Sequence, residues 1–240
     1  MGSHAFRLVS CQAGCGIQDR TQFVTFGQVP VFGGDPTDQL LQLIATGQLV
    51  FVHGGGWVRG DERAGLFVTQ PITYAAKGDV CISVNYRLSA DKLPCIEDVK
   101  CAVRWFRAHA EKYNVDPDRI GAYGNLAGAH LVTMLGISHT DKRLDGDGPC
   151  QDYSSAVQAV AASATAPGLL DERNFDVELI QPMTYVTADA PPLLLFHEET
   201  DRTVPVSNAD DFDKAMNEAG AEDISLYAPF GGTVYRYGRH

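Results

Sequence analysis

From about residue 48 onward the chain alternates short, β-rich apolar runs with longer segments of helical periodicity, and each run is closed by Gly, Pro, Asn or Asp. The runs are Leu49 to His53, Val80 to Tyr86, Arg119 to Tyr123, Val157 to Ser163 and Leu193 to His197, with Ser225 to Ala228 as a last candidate. Helical patterns lie between them at about 66–77, 96–113, 127–138 and 207–219. Continuous apolar runs suit strands covered on both faces, and strands that alternate with helices are joined by crossovers. Together they predict an α/β fold built on a mostly parallel sheet.

The helix at 96–113 is the clearest, with Val99, Ala102, Val103, Phe106 and Ala110 on one face and Lys100, Arg104, Arg107 and Glu111 on the other, which reads as the polar side. Before residue 48, Phe23 to Phe32 suits an edge strand, and Leu40 to Ile44 fits strand or helix equally. Met1 to His4 reads as an expression-tag remnant and is set aside. No repeat or linker divides the 240 residues, so one domain over 1–240 is expected, with 166–190 as a cap-like insertion.

Composition is that of a globular protein, 45% apolar and 20% charged, and the formal net charge of −11 opposes a nucleic-acid or anionic membrane partner. No apolar run approaches the roughly 20 residues of a membrane helix, and the first twenty residues lack a signal-peptide core. The expected partner is a small apolar or aromatic molecule. Compartment is left open. The cysteines at 11, 15, 81, 95, 101 and 150 include no CxxC pair and have no His at zinc-finger spacing, so no metal and no cofactor are expected. Cys81 reads as a small buried hydrophobe, whereas Cys95 and Cys101, flanking a helix start, could be bridged only in an oxidising compartment.

Three segments follow predicted strands, at the carboxyl edge where parallel sheets place ligands. The first is His53-Gly54-Gly55-Gly56-Trp57, whose consecutive glycines let amide N–H groups face a developing negative charge. The second, Gly121 to His130, runs from strand to helix through Gly124 and Gly128 and has the form of a nucleophile elbow, with Leu126 at the centre. A dinucleotide fingerprint competes for this segment, but the glycine spacing differs and no acidic residue follows in the right place. The third segment places Asp201 four residues beyond a buried strand, ahead of Val204-Pro205, where a carboxylate can hold an imidazole.

With these in order, the chain resembles the α/β-hydrolase superfamily, specifically carboxylesterases related to hormone-sensitive lipase and bacterial feruloyl-esterase-like enzymes. The resemblance rests on the HGGGW of 53–57 with Gly60-Asp61, on Val84-Asn85-Tyr86-Arg87-Leu88, on Asp116 to Ile120 with the elbow flanks, and on Asp201 with Val204-Pro205. It covers about 50–235. It implies an α/β-hydrolase fold, an oxyanion hole from Gly54, Gly55 and the N–H of Ala127, and Asp201 as the acid of a Ser-His-Asp triad.

The chain departs from that pattern at both reacting groups. Leu126 stands at the serine position and has no lone pair to attack with. Thr233 stands at the histidine position, and a hydroxyl is no general base near neutral pH. His53, His109, His130 and His139 fall in the glycine turn, on helices or in loops, and His240 would have to fold back to reach the site. The helix that follows the family's histidine is also absent from the sequence, which leaves part of a sheet face for the first 45 residues or a second copy of the chain to cover. The expectation is therefore a carboxylic-ester-hydrolase scaffold whose triad is disabled, by engineering or by divergence. Two alternatives stand beside it: a protein that binds a small ester-like molecule in the former active site, and a repurposed site in which Glu198 or Glu199 is the base.

Overall fold

The computed structural model describes residues 6–12, 16–20, 47–63, 65–164, 177–221, 223–228 and 236–238. Its strands are β1 (Phe6–Gln12), β2 (Gly16–Arg20), β3 (Gln48–Val52), β4 (Val80–Asn85), β5 (Gly121–Asn125), β6 (Ala159–Ser163), β7 (Leu193–Glu198), β8 (Asp223–Ala228) and β9 (Arg236–Gly238). They form one sheet in the order β2-β1-β4-β3-β5-β6-β7-β8-β9. The seven inner strands run parallel, and β2 and β9 pair antiparallel at the two edges.

The helices are α1 (Leu66–Lys77), α2 (Leu93–Ala108), α3 (Ala110–Tyr113), α4 (Ala127–Ile137), α5 (Val177–Ile180) and α6 (Ser207–Ala219). Successive strand residues point to opposite faces, and the core divides accordingly. Val50, Val52, Ile82, Val84, Val160, Ala162, Leu193 and Leu195 pack with residues of α2, α4 and α6 on one face. Leu49, Phe51, Cys81, Tyr123, Ala161 and Leu194 pack with Phe67 and Tyr74 of α1 on the other. Helices thus cover both faces, as the sequence pattern predicts.

The structure departs from the sequence expectations at several elements. The expected helix 96–113 is two helices that meet at His109, which adopts a non-helical φ of −107° and ψ of 19°. The strand expected at Arg119 to Tyr123 lies two residues later, so that it runs up to the elbow. Strands β1 and β2 occupy the polar, Gly-rich opening that the sequence reading leaves without structure. Lys100 and Arg104 do not face solvent; both are buried, because residues 138–148 fold over that side of α2. Lys100 Nζ lies 2.7 Å from Asp145 Oδ1 and donates to the carbonyls of Ser138 and Asp141, while Arg104 Nη2 donates to the Asp145 carbonyl at 2.7 Å. Burial works against charge on Asp145, but hydrogen bonds from Lys100 and Lys142 outweigh it and hold the carboxyl below its ordinary range.

Cys95 and Cys101 also lie inside α2 and are unbridged. Six helical residues separate their Cα atoms by roughly 9 Å along the axis, beyond the reach of a disulfide. Cys81 is fully buried, as read. The expected elements at Phe23 to Phe32 and Leu40 to Ile44, residues 166–176 of the insertion, Thr233 and His240 lie outside the described residues. The rest of the insertion holds α5 and a 3-10 turn at Pro182–Tyr185.

Candidate active site

The glycine turn, the elbow and the acidic loop follow β3, β5 and β7, all at the carboxyl edge of the sheet; β3 and β5 are adjacent, and β6 separates β5 from β7. Leu126 links β5 to α4. Its backbone has φ 53° and ψ −116°, a region that L-residues avoid and that a sharp strand-to-helix turn requires. The turn is anchored on both sides, since Leu126 N–H donates to Ser163 O at 2.9 Å and Leu126 O accepts the His130 N–H at 3.1 Å.

The flanking glycines are needed for close approach. A Cβ on Gly124 would stand 2.2 Å from Gly128 O, and one on Gly128 would stand 2.1 Å from Val52 O. The elbow is therefore pressed against the end of β3, from which the glycine turn departs. Gly54 lies directly against it, where a Cβ would meet Asn125 O at 2.7 Å and Leu126 Cβ at 3.4 Å. Gly55 follows with φ 122°. Ala127 opens α4, so its N–H belongs to the first turn, whose amides have no intrahelical acceptor. Gly54 thus packs against Leu126, and Ala127 follows it at the start of α4.

His53 braces the turn from beneath. Its ring stacks on Tyr86 at 4.2 Å, Tyr86 Oη donates to His53 O at 2.8 Å, and burial lowers the imidazole pKa. Tyr86 belongs to the Asn85-Tyr86-Arg87-Leu88 segment, which Arg87 fixes to α2 through Asp98 and Glu97. The contribution of this segment to the site is legible only through the resemblance, since nothing in its spacing points to it.

Asp201 is half-buried, three residues beyond β7. Its Oδ1 accepts the N–H groups of Thr203 (2.7 Å) and Val204 (2.9 Å), which leaves Oδ2 for a further partner. His197, buried on β7, bonds the Val204 carbonyl through Nε2 and steadies the same loop. A cavity of about 690 Å³ opens here, lined among the described residues by Glu198, Thr200, Asp201 and Arg202. Glu198 accepts from Thr200 Oγ1 at 3.3 Å, and Glu199 beside it is half-buried. Among the described residues no cluster of three or more His, Cys, Asp or Glu is placed to hold a metal, and no helix is long and apolar enough to cross a membrane.

Residues 44–173 match the family model described as BD-FAE. Among curated relatives, the chain is 29% identical to the esterase LipQ of Mycobacterium tuberculosis over 74% of its own length and 47% of that protein's. It spans about half the length of this and other mycobacterial relatives that it matches. Among solved structures it is similar to Thermogutta terrifontis esterase 2 phosphorylated by paraoxon, with 30% identity and a TM-score of 0.69 over 76% of this chain and 70% of that one. A truncated carbohydrate esterase from gut microbiota matches with 25% identity and a TM-score of 0.68 over 78% of each chain.

Proposed function

The chain belongs to the BD-FAE family and has an α/β-hydrolase carboxylesterase scaffold, and on that premise we propose that it holds an esterase site without a nucleophile, inactive or nearly so toward esters. The reading rests on Leu126. The residue keeps the strained backbone that presents an attacking oxygen, yet it has no oxygen to present. Asp201, with one carboxylate oxygen fixed by its own loop, supports the role of triad acid, and Thr233 at the histidine position supplies no base. The Gly54, Gly55 and Ala127 amides would still stabilise an oxyanion, so only weak acceleration remains.

The test combines turnover with labelling. Hydrolysis of p-nitrophenyl acetate is expected near the protein-free rate. Paraoxon, which phosphorylates the Thermogutta relative, is expected to add no mass to this chain. Triad members act as a unit, so Leu126→Ser and Thr233→His should each recover little and the double variant far more than their product. Ordinary esterase turnover by the unaltered chain, stopped by paraoxon, refutes the reading.

The cavity at Glu198, Thr200, Asp201 and Arg202 supports a second reading by its volume of about 690 Å³, although Gly54, Gly55, Leu126 and Ala127 are not part of its described lining. In it the former active site binds an ester-like or carboxylate-bearing aromatic molecule without turnover. Saturable binding of a hydroxycinnamate, abolished by Leu126→Asp, is the expected result; no binding at millimolar concentration dismisses it.

A further inference from the structure

His130 sits one turn inside α4 with none of its surface exposed, where the sequence suggests no more than a packed side chain. Both ring nitrogens are engaged. Trp57 Nε1–H donates to Nδ1 at 3.3 Å, with the two rings edge-on at 84°, and Nε2 lies 2.8 Å from the Ile180 carbonyl. An indole N–H can only donate and a carbonyl can only accept. The one ring form that serves both is the neutral tautomer with its proton on Nε2.

The two partners come from different sides of the site. Trp57 closes the glycine turn after β3, and its backbone stands at φ 64°, a conformation that a bulky residue adopts only when its neighbours impose it. Ile180 is the last residue of α5, in the stretch read as a cap, and is itself buried. The far ends of both partners are fixed, for Ser89 N–H donates to Trp57 O at 2.9 Å and Tyr185 Oη lies 2.9 Å from Leu179 O. We infer that His130 is a positioning residue that couples the cap segment 177–185 to the glycine turn Gly54 to Trp57, so that a displacement of either is transmitted to the other. The coupling does not depend on whether position 126 supports turnover.

The charge state of the ring suits this role. Burial disfavours the imidazolium, the Ile180 carbonyl favours it and Lys92 disfavours it, and the balance puts the pKa at about 4. Lys92, at the start of α2, is the charged group that faces this pair among the described residues, with its ammonium 5.5 Å from the Trp57 ring centroid. The neutral bridge therefore persists through the neutral range. Protonation would turn Nδ1 into a second donor facing the indole N–H and break the Trp57 half.

The experiment reads the two ends separately, by the Trp57 indole N–H resonance and by amide exchange at 177–185. Trp57→Phe assigns the resonance, since Trp105 is the other tryptophan in the sequence. In the unaltered protein the Trp57 signal should titrate with a midpoint near pH 4, and His130→Phe should abolish that titration. Both His130→Phe and Trp57→Phe are expected to raise exchange at 177–185 by tenfold or more. Trp57→Phe should add little in the His130→Phe background, because both remove one link. His130→Gln, which offers one acceptor and one donor, should fall between. Exchange at 177–185 that is unmoved by Trp57→Phe overturns the coupling, and that arm decides alone should His130→Phe fail to fold.

Discussion

Gly128 tests the claim that close backbone approach sets the elbow. It is the second residue of α4, and a Cβ there would lie 2.1 Å from Val52 O and 2.7 Å from His53 O. Both obstacles are main-chain atoms at the end of β3, so no rotamer change relieves them. Real Cβ contacts essentially never fall below 3.0 Å, so the helix start and the strand end must part by at least 0.9 Å, the gap between 3.0 and 2.1. Overpacking of a dense interior costs about 1–3 kcal/mol, with the upper end appropriate where only backbone can yield, and the better helix propensity of alanine offsets about 1 kcal/mol. Gly128→Ala should therefore lose about 2 kcal/mol, which for a domain of this size lowers Tm by about 4–8 °C. Gly220→Ala is the reference, since its φ of 76° is strained for alanine but its surroundings are open; about 1 kcal/mol and 2–4 °C are expected. Thermal unfolding followed by circular dichroism compares the two. A Gly128→Ala protein as stable as Gly220→Ala would refute the argument that this contact locates the elbow.

Asp145→Asn removes the carboxylate that Lys100 and Arg104 share in the interior, and should cost about 3–5 kcal/mol. Lys142→Ala, which removes a 77% exposed partner of the same carboxylate, should cost under about 1 kcal/mol in the same urea titration. Tyr86→Phe leaves the buried His53 carbonyl without its donor and should lower the urea midpoint by the equivalent of about 1–2 kcal/mol, with the slope unchanged. Acid should weaken the fold through His130, whose pKa of about 4 lies below the ordinary 6.5, so the unfolded chain takes up the proton first as pH falls. Stability is then full above pH 6.5 and declines toward pH 4 by about 3 kcal/mol. Unfolding titrations at pH 7 and 4.5 check this, and His130→Gln should flatten the difference.

Parallel strands and long helices were legible because burial on both faces leaves an unbroken apolar run, as in Leu193 to Leu195. The edge strands were not. In β2, Gly16-Ile17-Gln18-Asp19-Arg20 has one covered neighbour and a polar composition, so periodicity carries little signal. The face of α2 was misread for a different reason. Lys100 and Arg104 fall at polar positions, and only the fold of residues 138–148, which brings Asp145 and two carbonyls to them, makes burial tolerable. At the site, the glycine spacing located the turn and the elbow, because a missing Cβ is visible in a sequence. The link from Trp57 through His130 to Ile180 was invisible, because it joins residues 73 and 50 positions apart by side chains that read as ordinary core.

On the proposed reading, the conformation of Leu126 bears on how such a site would lose its chemistry. A non-glycine residue in this region bears about 1–3 kcal/mol of strain, so something other than the side chain must impose it. The imposing contacts are the approach of Gly124 to Gly128, the seating of Gly128 on Val52, the bond from Leu126 N–H to Ser163 O and the first helical bond onto Leu126 O. All four are backbone contacts, and none uses the side chain at 126. The turn is therefore independent of the side chain at 126, and exchange of a hydroxymethyl group for an isobutyl group there would remove a reacting oxygen while the turn that would aim it stayed in place. By the same reasoning Leu126→Ser should leave φ and ψ at position 126 unchanged. Any activity gained when Leu126→Ser is combined with Thr233→His then measures the added oxygen and its added base, and not a rebuilt turn.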